Sequence, residues 1–562
     1  MIDEAAPIAA SGGPAPLLAP LRNRLFGALL AANLIASLGA VIQSVSASWL
    51  MTSLTHAPGM IALVQTATLL PLMLFSLATG AAADVFDARR VMLCAQLFMA
   101  AVSAALVVLH GQGWVTPWLL LGATFLLGIG TALHQPAWQA SIGKHVPPAD
   151  RAAAVTLSTI SSQVARSAGP ALGGVVVSLG GPALGFLVNA ASYLGLVALL
   201  LRQRPRSEAG VHRQHFATAI RSGVQYAAAS PSLRAVLPRA AAFGLCAGAV
   251  WGLMPLIARD LIGGGPVVYG LLLGAFGLGS VTSGAFAPRI RHRLTVEAIV
   301  RLGTLGFGAA SLLAAGIAAL LPALALMLVA GAAWVTALAT MNVAVHAATP
   351  RWVMGRAFAA YQMALFGGLA TGAWFWGAVA DAAGLRWALA AAGAAMLATL
   401  LLGLRWPITV AVDAETHSAG ASADPPVRVS IAPDSGPVTV MIDYEIPPER
   451  VDAFLEAMAE REHIRRRDGA RRWALQQDLA DPRRWVERFD SPRWSEYLHY
   501  RGRATTADQQ AEARVRALHA GDEPPRVRRF VRRQPSAPRH ATTSADALGS
   551  HPSSRDETAA RG

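Results

Sequence analysis

The sequence predicts an all-α membrane protein of twelve transmembrane helices, paired as two pseudo-symmetric six-helix bundles and followed by a small α+β domain. Three observations predict it: twelve apolar runs of spanning length, glycines and arginines that recur at one offset, and a sharp change in charge density after Trp406. Of 562 residues, 54% are hydrophobic and 14% charged, where ordinary soluble domains carry about a quarter charged. Mean hydropathy is +0.43.

The apolar runs fall at 25–50, 58–82, 91–110, 117–142, 152–178 and 182–201, then at 235–257, 266–287, 296–319, 321–347, 354–380 and 385–405. Each is long enough to cross about 30 Å of hydrocarbon at about 1.5 Å per residue. So many long runs in succession exclude a soluble core.

Loop charge is one-sided. One set of loops holds Arg22, Arg24, Arg89, Arg90, Lys144, Arg151, Arg202, Arg204, Arg206, Arg213, Arg221, Arg289, Arg291, Arg293, Arg351 and Arg356, whereas the opposite set holds Arg259 and Arg386. This asymmetry predicts that both termini are cytoplasmic. It also accounts for the net charge of +14 without nucleic acid, which is not an expected partner. Trp114 and Trp118 suit an interfacial aromatic belt on the outer side.

The N-terminus, with Asp3 and Glu4, lacks the basic start and cleavage site of a signal peptide, so the first apolar helix is expected to stay in the membrane. Cys94 and Cys246 both lie in apolar runs and form neither a disulfide scaffold nor a metal-ligand spacing. No metal or cofactor is expected. The domain plan is a flexible N-terminus (1–20), an N-terminal bundle (21–201), a cytoplasmic central loop (202–234), a C-terminal bundle (235–406), a linker (407–436), a soluble domain (437–533) and a disordered tail (534–562). Within the central loop, 217–229 reads either as an amphipathic surface helix or as a solvated linker.

The duplication is explicit. Gly80-Ala-Ala-Ala-Asp84-Val-Phe-Asp87-Ala-Arg89-Arg90 is followed about 204 residues later by Gly284-Ala-Phe-Ala-Pro-Arg289-Ile-Arg291-His-Arg293. Arg151 and Arg356, Gly169 and Gly372, Gly174 and Gly377, and Gly181 and Gly384 keep nearly the same offset. Such internal repeats are a mark of secondary transporters.

On these residues the chain resembles the major facilitator superfamily. Gly80, Asp84, Arg89 and Arg90 match its signature between the second and third helices, while Val85 replaces a basic residue and Asp87 a glycine. Gly39, Gln43, Trp49-Leu-Met-Thr-Ser-Leu-Thr55 and Pro136-Ala-Trp138-Gln139 resemble the enterobactin-exporter-like branch, also called transmembrane secretion effectors. This resemblance covers roughly residues 20 to 406. It implies alternating access, with Asp84 latching the inward side shut through a helix N-terminus or an arginine.

Gly169, Pro170, Gly173 and Gly174 resemble the core of the superfamily's antiporter signature, with Ala165 at a position usually glycine, and read as a helix-five hinge or packing surface. One turn earlier stands Arg166, roughly 20 Å along its helix. A cation at that depth needs a water-filled cavity or a partner. It either contacts an anion, takes part in coupling, or pairs with carbonyls or Gln163.

Asp84, Asp87, Asp150, Asp260, Glu297 and Asp381 all map near helix ends, so a mid-membrane carboxylate is missing from the sequence. His134 is of a residue type that titrates near neutral pH, with a structural role as its plainer reading. Gln43, Gln65, Gln139, Asn189 and Asn342, with Trp251, Trp334, Trp374 and Trp376, suit either the wall of a cavity for bulky amphipathic cargo or the packing between helices.

In the soluble part, Val438 to Ile446 alternates as a strand and Val451 to Arg465 has helical spacing. Strands at Arg472 to Leu479 and Arg484 to Phe489, a helix from Arg493 towards Leu518 and a last strand at Arg526 to Val531 complete a βαββαβ order, which is ferredoxin-like. It resembles dimeric α/β-barrel domains of the antibiotic-biosynthesis-monooxygenase type, which implies a homodimer through this domain. His463, Trp473, Trp485, Tyr497, His499 and Tyr500 suit a pocket or a core. With no nucleophile–base arrangement visible, no enzymatic activity is expected. The leading expectation is an exporter of small amphipathic molecules in the bacterial inner membrane. The alternative is a transporter whose C-terminal domain binds, senses or modifies the cargo.

Overall fold

The computed structural model describes residues 17–85, 87–203, 231–347, 349, 354–408, 429, 431–432, 435–467, 470–501, 506–521 and 523–532. Among them, eleven helical stretches are long and apolar enough to cross a membrane. The first four are α1 (Arg24–Leu54), α2 (Pro58–Val85), α3 (Ala88–Gly111) and α4 (Pro117–His145). A continuous stretch of 52 residues, Arg151–Arg202, comes next. At about 1.5 Å per residue it would measure about 78 Å, more than twice a hydrocarbon core. Its backbone is non-helical at Gly180 and Gly181, where φ reaches 68° at Gly181. Two helices therefore meet there, α5 (151–179) and α6 (182–202), at the boundary that the apolar pattern predicts.

The second half holds α7 (Pro231–Leu256), α8 (Pro266–Arg293), α9 (Val296–Ala314), α10 (Leu320–Ala347), α11 (Met354–Ala383), α12 (Leu385–Ala398) and its short continuation α13 (Leu400–Arg405). The expected run at 296–319 ends earlier, at Ala314, and α7 begins four residues before the expected 235. Side-chain caps mark several starts: Asn23 accepts from Leu25 and Phe26, Asp87 from Arg89 and Thr116 from Leu119. The stretch 217–229 and the tail beyond 533 lie outside the described residues.

The repeat in the sequence is a repeat in space. Gly181 and Gly384, separated by the shared offset, both take left-handed φ, 68° and 93°, and both sit just before the last helix of their half. That conformation favours glycine. A Cβ on Gly169 would lie 2.8 Å from Val41 of α1, while one on Gly372 would run into the Leu245 carbonyl of α7. Val41 and Leu245 are themselves about 204 residues apart. Likewise Gly174 packs on Pro266 and Gly270 of α8, and Gly377 on Gly59 and Ala62 of α2. Small residues let backbones approach where lipid supplies no hydrophobic drive.

Residues 438–531 hold a four-stranded antiparallel sheet of order β2-β3-β1-β4, made of β1 (Val438–Glu445), β2 (Arg471–Gln477), β3 (Arg484–Ser491) and β4 (Arg526–Val531). Helix α14 (Val451–Arg467) follows β1. The single helix expected between β3 and β4 is instead two, α15 (Trp494–Arg501) and α16 (Thr506–Leu518). Val438, Val440, Ile442 and Tyr444 alternate into a core with Phe454, Met458, Trp485, Phe489 and Tyr497, so these aromatics are core. The His499 and Tyr500 side chains lie outside the described residues.

Candidate functional site

The two halves meet where their helices carry few arginines. Gly59 N donates to Asp381 Oδ2 at 3.0 Å, Arg259 Nη1 to the Thr52 carbonyl at 2.7 Å, Thr66 Oγ1 to the Ala370 carbonyl at 2.7 Å, and Ser167 Oγ to the Gly277 carbonyl at 3.3 Å. Trp49 and Tyr269 stack at 6.4 Å between centroids. All of these contacts lie in the arginine-poor half of their helices.

Burial along α5 shows where the halves part. Positions 160, 164, 168, 172, 175 and 179 are exposed along the whole helix, which is the pattern of a lipid-facing stripe. The opposite stripe changes character midway. Pro170, Gly173 and Val177 are buried, whereas Val155, Thr159 and Arg166 are exposed. Helix α4 repeats this: Leu121, Thr124 and Gly128 are buried, then Gln135 and Gln139 are exposed. A cleft between the halves therefore opens toward the arginine-rich end, and its floor lies near Ser167 and Gly277.

Arg166 stands at that floor, about 22 Å from residue 151. Its guanidinium has no hydrogen bond or ion pair among the described residues, and the expected structural pairing with Gln163 or with carbonyls is not made. Across the floor, Gly277 leads to Phe276, which packs edge-on against Trp251 at 5.0 Å between centroids. Trp251 belongs to an aromatic cluster with Phe243, Phe307 and Trp334. From Cys246 to Ala258 it alone keeps partial exposure, and its indole Nε1 is buried without a hydrogen-bond partner.

Other sequence candidates are placed elsewhere. Gln43 and Asn189 are buried inside the N-terminal half, where Asn189 Nδ2 donates to Gln43 Oε1 at 3.3 Å and to Ser103 Oγ at 2.9 Å. They tie α1, α3 and α6 together and do not line the cleft. His134 is held between Gln96 and Asn33 at 3.2 and 3.0 Å, joining α1, α3 and α4. Both pairs are helix-packing polar contacts, made because an unpaired amide or imidazole inside a bundle is costly. Asn342 is partly buried on α10. Trp376 is buried with its Nε1 on the Leu245 carbonyl at 3.0 Å, while Trp374 is 55% exposed. Gly169, Pro170, Gly173 and Gly174 all lie buried at helix crossings. Of the signature loop, Arg89 Nε donates to the Leu200 carbonyl at 2.7 Å and Arg90 is exposed. The surroundings of Gly80 and the side chain of Asp84 lie outside what the structure describes.

Sequence reasoning missed two charge clusters. At the arginine-rich end of the second half, Glu297 binds Arg239, Arg301 at 2.6 Å and the Ile408 amide at 3.0 Å. The i,i+4 spacing of Glu297 and Arg301 was the available signal; nothing in the spacing pointed to Arg239. In the sheet unit, fully buried Glu487 accepts from Tyr444 Oη, Arg461 Nε, Arg465 Nε and Trp473 Nε1 at 2.8 to 3.2 Å. Burial raises its carboxyl pKa, but the two guanidinium groups outweigh this and hold it at about 2. The Tyr444 hydroxyl is pushed up, by burial first and the Glu487 charge second.

The profile of the transmembrane secretion effector family matches residues 15–536, through the sheet unit and well beyond the expected limit at 406. An uncharacterized MFS-type transporter of Bacillus subtilis, YfiS, is 26% identical over 60% of this chain and 82% of its own length. The multidrug efflux pump Tap of Mycobacterium tuberculosis is 30% identical over 31% of this chain, and the chain spans only 43% of Tap. A POT family transporter in complex with a thioalcohol-conjugated peptide superposes with a TM-score of 0.56 at 13% identity, over 69% of this chain and 97% of that one. A bacterial homolog of the human lysosomal transporter Spinster gives 0.54 at 15%, over 69% and 95%. These likenesses show a shared fold. The chain is a multi-pass membrane transporter of the MFS type and belongs to the transmembrane secretion effector family.

Proposed function

We propose that this transporter is a secondary active exporter of small amphipathic molecules (siderophore, secondary metabolite or drug) and works by alternating access. The observation that carries the reading is the cleft between two pseudo-symmetric halves, sealed at the arginine-poor end and open at the other, with Arg166 at its floor. Export as the direction is supported by the similarity to Tap, a multidrug efflux pump.

With the long stretch broken at Gly180 and Gly181, the chain makes twelve crossings as six plus six. The arginine-rich end faces the cytoplasm, as retained basic loops require, so both termini lie there. Gly80, Asp84, Arg89 and Arg90 form the latch that closes the cytoplasmic side in the other state. Gly169, Pro170, Gly173 and Gly174 form the crossing on which α5 rocks. Gln139, Trp251 and Asn342 line the cargo path with Arg166. The sheet order β2-β3-β1-β4 supports a ferredoxin-like unit that pairs with a second copy.

The test is transport in proteoliposomes. Asp84→Asn should slow export while insertion and yield stay unchanged, because the residue favours one conformation and not the fold. An unchanged rate would remove the latch. Absence of any transport across a panel of amphipathic compounds by the parent would remove the exporter reading.

A further inference from the structure

The floor of the cleft carries an unpaired cation. Arg166 offers guanidinium N–H groups, which donate and never accept, and none of them has a partner among the described residues. Beyond Gly277 and Phe276, inside the aromatic cluster of the second half, Trp251 Nε1 is buried with no acceptor. An indole N–H is likewise donor-only. Buried polar atoms are almost always paired, so an orphan calls for an explanation. No acidic residue lies mid-span to answer them: Asp260, Glu297 and Asp381 are engaged at helix ends.

A cation left unpaired at mid-membrane is costly and marks a ligand path. A guanidinium with no carboxylate beside it among the described residues complements an acceptor-rich anion and repels an ammonium. Beyond Gly277, the partly exposed Trp251 and Trp334 supply an apolar, aromatic wall. Polar floor and aromatic side together fit a molecule with a flat apolar body and one anionic head.

We infer that the cargo is an amphipathic organic anion, whose carboxylate, phenolate or sulfonate head is held by Arg166 while its aromatic or apolar body lies against the Trp251–Trp334 cluster. This deepens the exporter reading and rests on it. It also separates this chain's cargo from lipophilic cations, for which the described residues of the cleft offer no carboxylate.

Three probes with one body test the charge preference: 2-naphthoate, 2-naphthamide and 2-naphthylmethylammonium, titrated against the purified full-length chain in lipid nanodiscs. The parent should bind naphthoate about tenfold or more tighter than naphthamide, the range of a charge-assisted contact, and the ammonium most weakly. Arg166→Gln should bring the naphthoate-to-naphthamide ratio to about one, while Arg166→Lys keeps most of it. Tightest binding of the ammonium, or no discrimination by the parent, overturns the inference without any variant. So does an unchanged ratio in Arg166→Gln. Flux in inside-out proteoliposomes separates the two readings. Naphthoate bound with this preference but not moved contradicts the exporter and leaves the site, whereas probe moved with no charge preference contradicts the site and leaves the exporter.

Discussion

Replacing Gly174 with valine should drive the arginine-poor seal open. In the structure a Cβ at this position would lie 2.7 Å from the Pro266 carbonyl oxygen and 3.0 Å from Gly270 Cα. Both are backbone atoms of α8, so no side chain can swing aside, and the helix itself must retreat by roughly 1 Å. Overpacking of this kind costs about 1–3 kcal/mol. The crossing exists only while that end is closed, so the cost falls on the closed state. The equilibrium should move about 5- to 150-fold toward the opposite opening. Ala62, fully buried under the equivalent α2–α11 crossing, reports the change. In a background with Cys94 and Cys246 replaced, an Ala62→Cys thiol should react with an impermeant maleimide faster by that factor when Gly174→Val is added. Because the two crossings lie on different helix pairs, faster labelling would show that the halves move as rigid bodies. An unchanged rate in a variant that inserts normally would refute the reasoning.

Four further outcomes are expected. Asp381→Asn, which weakens the charged cap on the α2 N-terminus, should loosen the same seal by about 0.5–2 kcal/mol, read as a smaller rise in Ala62→Cys labelling. Glu487 should make the sheet unit acid-sensitive. Its folded carboxyl, at about 2 against an ordinary 4.5, stabilises the unit fully above pH 4.5, and this stability is lost as pH falls from 4.5 toward 2. The shift corresponds to about 3 kcal/mol. Glu487→Gln should remove a comparable amount at neutral pH and flatten the dependence, seen in thermal melts of residues 429–533. The chain cut at about 437 should still insert and keep part of its transport, and the isolated sheet unit should sediment as a dimer; a monomer would remove the pairing. Reporter fusions to either terminus should read cytoplasmic.

The membrane part of the fold was legible because a spanning helix is a local property: about twenty apolar residues suffice, whatever they pack against. The break between α5 and α6 was visible as Gly180-Gly181-Pro182, and the equivalent Gly384 by its offset. On α5 the sequence carried a partial signal for the lipid face: the stripe holding Val164 and Leu172 is wholly apolar, whereas the opposite one holds Thr159 and Arg166. Burial then showed that the opposite stripe is covered at Pro170 and Gly173 and open at Thr159 and Arg166. The depth of Arg166 was readable from its position; its lack of a partner was not. Gln43 and Asn189 looked like cavity residues because an amide in an apolar run serves equally in a cavity or between helices. They proved to bond to each other across 146 positions of sequence. In the sheet unit, alternation located the strands, but pairing across β2-β3-β1-β4 and the convergence of Arg461, Arg465, Tyr444 and Trp473 on Glu487 depend on tertiary neighbours that no local pattern specifies.

The claim that one cleft opens to either side in turn is tested most directly by spin-label distances across the arginine-poor end, between His56→Cys and Gly264→Cys, in nanodiscs with and without 2-naphthoate. The account predicts a short distance matching the sealed structure, joined by a second, longer distance whose share changes with the ligand and rises in Gly174→Val. A single short distance under every condition would contradict it.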